Sequence, residues 1–92
     1  MTQEQKIKKL GKVMNQYFTN VKVGLDFWED GFVGVVVSHN KSKVEIIPND
    51  DTNEINIMFI EEGKMYPCDE VVNEDEYDFF GEFLFKSLVP QS

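Results

Sequence analysis

"VKVGLDFWEDGFVGVVVSHNKSKVEII" (residues 21–47) alternates apolar and polar residues, the pattern of side chains on pleated strands. Val21, Val23, Leu25 and Phe27 share one face of a first strand (21–28), with Lys22, Gly24, Asp26 and Trp28 on the other. Glu29-Asp30-Gly31 then reads as a three-residue hairpin loop closed by Gly31 at a left-handed position. That loop pairs Trp28 with Phe32, Phe27 with Val33, Leu25 with Val35 and Val23 with Val37, so the inward residues of both strands coincide. A two-residue Asp30-Gly31 turn would slip the register by one and destroy the match. The same logic places Val37 opposite Val44 and Val35 opposite Ile46, leaving Asn40-Lys41 as the next turn, where Asn tolerates positive φ.

Working outward, "KVEII" (43–47) is the third strand, "PNDDTNE" (48–54) a turn, and "INIMFI" (55–60) a fourth strand with Ile55, Ile57 and Phe59 inward. "EEGKMYPCD" (61–69) reads as a loop. Residues 2–18 form a helix, with Thr2 and Gln5 as a capping box and Ile7, Leu10, Met14, Tyr17 and Phe18 as its apolar stripe. Lys6, Lys8, Lys9 and Lys12 lie mostly off that stripe, and Gly11 weakens the helix by about 1 kcal/mol. A second helix runs from about Asn73, capped with Glu76, to about Leu88, before Pro90. Its stripe is Tyr77, Phe80, Phe83, Leu84 and Leu88, with Phe79 beside it. The expected fold is α+β: a four-stranded antiparallel meander with two helices on one face, in the order α-β-β-β-β-α.

The chain has 92 residues, enough for one small domain that buries only about 60–65% of its unfolded surface. No stretch approaches the roughly 20 apolar residues of a bilayer span, and "MTQEQKIKKLGKVM" has no apolar run behind its lysines, so neither a membrane segment nor a secretory signal is expected. The lone Cys68 forms no intramolecular disulfide, Cys-based zinc site or CxxC pair, and a cytoplasmic protein is expected. The net charge is −8 and uneven: residues 1–22 carry five lysines and one acid, residues 69–92 seven acids and one lysine. There is no arginine. Direct nucleic-acid binding, which neutralises phosphates with Lys and Arg, is therefore not expected.

Two surfaces stand out. With the expected register, Trp28, Phe32, Val36, Ile47 and Met58 form an apolar patch on the sheet face away from the helices, unless the 61–72 segment folds over it. Contiguous apolar patches mark interaction sites, and aromatics are enriched in their centres. The second surface is "DEVVNEDEYDFFGEFLF" (69–85), with Glu70, Glu74, Asp75, Asp78 and Glu82 as partner-binding candidates. Four of its acids sit in the first turns of the second helix, where the helix dipole alone accounts for them.

Enzymatic signatures are missing. His39 and Cys68 are too far apart in the expected fold for a nucleophilic pair, and "NDDTNE" lacks the Gly and Glu of a calcium loop. No Walker A, GxGxxG, HExxH or GxSxG is present. No catalytic residue, cofactor or metal is assigned. Double-stranded RNA-binding domains share an α-β-β-β-α order, but they need lysines where this chain has "NEDEYD". The expectation is a non-catalytic protein-binding module (a small inhibitor, immunity-type protein or adaptor), with homodimerisation as a variant. The alternative is an acidic nucleic-acid mimic of the antirestriction or anti-CRISPR type, presenting spaced carboxylates to a cationic groove.

Overall fold

The structure is a computed structural model and describes residues 2–26 and 32–89. Thr2 caps α1 (Gln3–Tyr17) as expected: its hydroxyl accepts from the Gln5 amide at 3.2 Å, and the Gln5 side chain accepts from the Thr2 amide at 2.9 Å. Five strands follow in sequence order as one antiparallel meander: β1 (Asn20–Asp26), β2 (Phe32–His39), β3 (Ser42–Pro48), β4 (Glu54–Glu61) and β5 (Lys64–Val71). A 3-10 turn (Glu74–Glu76) leads into α2 (Tyr77–Leu88). The fold is α+β, with five strands where four were expected.

The fifth strand replaces the expected 61–69 loop. Glu62 and Gly63 take positive φ (52° and 80°), the signature of a tight two-residue hairpin turn, and Lys64 folds back opposite Glu61. Pro67 lies within this strand, but β5 is the sheet edge, where a missing N–H is tolerated. The Val72 amide donates to Asn53 O at 2.8 Å, so even-numbered residues of β5 bond toward β4 and the Pro67 nitrogen faces outward.

The β2–β3 register is as expected, Val35 opposite Ile46 and Val37 opposite Val44, with Asn40 at φ 54° in the turn. The β1–β2 register is not. Val21 lies opposite Val37, Val23 opposite Val35 and Leu25 opposite Val33, a slip of two residues from the expected pairing. An even slip keeps every side chain on its face, so alternation does not detect it. It sets Gly24 against Gly34 and Asp26 against Phe32. Phe32 thus stands opposite Asp26 instead of the expected Trp28, and Trp28 and the expected left-handed Gly31 fall outside the described residues. Gly34, at φ 146°, occupies backbone space open to glycine alone.

One face of the sheet and both helices share a core. Val33, Val35, Val37, Val44, Ile46, Ile55 and Ile57 meet Ile7, Leu10, Val13 and Met14 from α1, Phe18 just past its end, and Tyr77, Phe80 and Leu84 from α2. α1 lies over β1, β2 and β3 and packs beside α2. Lys6, expected off the apolar stripe, is buried: its ammonium donates to the carbonyls of Asn49 and Thr52, each at 2.7 Å. It thereby ties the β3–β4 turn to α1, as does Asp50, whose carboxylate accepts from the Gln3 amide.

Candidate functional site

The apolar patch expected on the outer sheet face divides. Trp28 and the side chain of Phe32 lie outside the described residues. Val36, expected as exposed, is buried at 9%. Ile47 and Met58 are half-buried and line a shallow trough with Glu45, Asn56, Pro67 and Asp69. The register explains this grouping, since Glu45, Met58 and Pro67 lie in one cross-strand row, beside the Ile47–Asn56–Asp69 row. The 61–72 segment adds a strand beside β4 and does not fold over this face.

Among the described residues, the helical side carries the larger aromatic exposure. Phe79 and Phe83 on α2 are 73% and 62% exposed. Phe83 was expected in the buried stripe; Gly81 takes that side of the helix instead, against α1, while Phe85 meets the rings of Tyr17 and Phe18 with centroids 5.9 and 5.7 Å away. The signal was in the spacing. At about 100° per residue, Phe79 and Phe83 fall together on the flank opposite Leu88 and Gly81, so one stripe never held all the aromatics of this helix.

Phe79, Phe80 and Phe83 wall a groove of about 320 Å³ whose other sides are Glu70 and Val72, at the end of β5, and Glu76. Tyr66, Cys68 and Glu70 stand opposite Phe59, Ile57 and Ile55, so they share the helical side of the sheet, yet all three are exposed. Two of the expected acids meet at this groove: Glu70 lines it, and Glu82 flanks Phe79 and Phe83 while paired with Lys86 at 3.0 Å. Asp75 and Asp78 are exposed, and Glu74 is half-buried in the 3-10 turn. Asn73 does not form the expected capping box, because its side-chain oxygen accepts from Asn53 Nδ2 at 2.8 Å and its nitrogen donates to the Glu76 carboxylate at 3.0 Å.

The thiol of Cys68 is pushed above its ordinary pKa by desolvation, then by the Glu70 carboxylate 3.7 Å away and by Asp69. Fewer molecules carry the thiolate at neutral pH, so its nucleophilicity is damped. His39 ends β2, three strand spacings or roughly 14 Å from β5, outside hydrogen-bond reach of that thiol. Among the described residues, no group of three His, Cys, Asp or Glu side chains is arranged to hold a metal. No described helix is long and apolar enough to cross a membrane.

Comparison with protein-family models, with curated proteins and with solved structures finds no match for this chain.

Proposed function

We infer that this chain is a non-catalytic protein-binding module, of the inhibitor, immunity-protein or adaptor kind, that meets its partner through apolar side chains set in an acidic surface. One observation carries the reading: Phe79 and Phe83 stand exposed one helical turn apart, beside a groove edged by Glu70 and Glu76. Two phenylalanines in water forfeit about 1.5–3 kcal/mol each of burial, a cost that binding recovers. The nucleic-acid mimic draws on the exposed carboxylates of Asp69, Glu70, Asp75 and Asp78. It leaves the phenylalanines without a role, so protein binding is the better reading.

Affinity capture from a nuclease-treated lysate, eluted in salt steps, tests it. A partner retained through high salt and lost from the Phe79→Ser/Phe83→Ser variant or from Met58→Asp supports the module. Release of a nucleic-acid enzyme at moderate salt, unchanged by these substitutions, transfers support to the mimic. Identical eluates from all variants with no partner in any would overturn both.

A further inference from the structure

α1 lies over β1 to β3 and α2 packs beside it, yet Tyr66, Cys68 and Glu70, on the helical side of β5, stay exposed, so neither helix covers that strand. The lane left open is the helical side of β5, with Tyr66, Cys68 and Glu70 along it and Phe79 and Phe83 as its wall.

We propose that this lane receives an amphipathic helix of a partner protein, apolar on one side and lysine- or arginine-bearing at its edges, which completes the helical layer over β5. The inference rests on the protein-binding reading and names its site and the partner's chemistry. Strand addition to the outer edge of β5 is disfavoured, since of its outward positions (65, 67, 69 and 71) Pro67 has no N–H to offer and Asp69 carries charge. β5 spans eight residues, about 26 Å, the length of a helix of about 18 residues. Charge selects the occupant: Glu70 and Glu76 line the groove and Glu82 edges it, while of the lane's lysines Lys86 is paired with Glu82 and Lys64 stands opposite Glu61 at the far end. A second copy in the same lane would bring these acids against their own duplicates in a chain of net charge −8.

The test is an NMR titration of the full, ¹⁵N-labelled chain with a synthetic leucine–lysine amphipathic peptide of about 18 residues. The expected result is amide shifts centred on Val72, Phe79, Phe80 and Phe83, with binding weakened about tenfold or more when the peptide's leucines become serine, when its lysines become glutamate, or in Phe79→Ser/Phe83→Ser. Equal binding of the serine peptide, or shifts centred on Ile47 and Met58, would overturn the proposal. So would self-association of the chain that Phe79→Ser/Phe83→Ser abolishes. The two readings fail separately: a captured partner lost on Met58→Asp but kept by the phenylalanine variant removes the lane and leaves the module.

Discussion

Gly81 of α2 and Val13 of α1 stand so close that a Cβ on the glycine would lie 2.6 Å from Val13 Cγ1. Val13 is 5% exposed and its β-branched side chain has no free space to turn into. Gly81→Ala gains about 1 kcal/mol in helix propensity but meets an overpacking cost of about 1–3 kcal/mol, so a net loss is expected. Gly11 has the same 2.6 Å approach to Val23 Cγ2, yet Val23 is 37% exposed and can rotate away. Thermal unfolding should show Gly81→Ala below wild type by several degrees and Gly11→Ala near it. The reverse order would refute this account of how the helices pack.

Lys6 is 4% exposed, and its ammonium donates to two backbone carbonyls of the β3–β4 turn. Lys6→Met keeps the apolar stem and removes both bonds, for an expected loss of about 2 kcal/mol in urea unfolding. The amides of Asp51 and Thr52, which donate to Asn49 Oδ1, should also exchange faster. A stability loss without faster exchange there would mean that Lys6 acts through packing alone.

Tyr77 is buried, and desolvation, with the Glu74 carboxylate second, pushes its pKa up to about 12. The folded state therefore keeps the phenol protonated while the unfolded chain releases it near pH 10. The contribution is intact below pH 10 and is lost as pH rises through about 12. Absorbance at high pH should show one of the three tyrosines titrating late. Tyr77→Phe should flatten the fall in stability over that window; an unchanged slope would assign the fall to the lysines, which titrate in the same range.

Cys68 is exposed, and its thiol is pushed above its ordinary pKa by desolvation and by Glu70. At neutral pH it should react with a disulfide reagent more slowly than free cysteine, and Glu70→Gln should speed it up. Equal rates in both proteins would remove Glu70 as a cause.

Phe79 and Phe80 are chain neighbours with opposite surroundings, one 73% exposed and the other in the core. Phe80→Ala should cost about 3–5 kcal/mol, whereas Phe79→Ser and Phe83→Ser should change stability by about 0.5 kcal/mol or less. Urea unfolding checks both. A large loss at Phe79 would show that its ring supports the fold and is not free for a partner.

Much of the architecture was legible along the chain because its causes are local. The α1 capping box, the inward faces of the strands and the Asn40 turn follow from neighbours a few residues apart. The acids beside the groove were legible as charge, and Glu70 and Glu82 do stand there. Among the aromatics, Phe83 was absorbed into a core stripe that only helix geometry excludes it from, while the expected Trp28 lies outside the described residues.

What local pattern leaves open, long-range packing decides. Alternation is indifferent to a slip of two, so the pairing of Val21 with Val37 is set by how the whole sheet closes. Pro67 speaks against a strand in isolation, but at an edge its missing donor costs nothing, and β5 exists because β4 offers it a partner. The two helices leave the helical side of that fifth strand exposed. Which aromatics are buried and which face water follows from how the two helices sit on the sheet, a relation that belongs to the assembled layers and to no stretch of the chain.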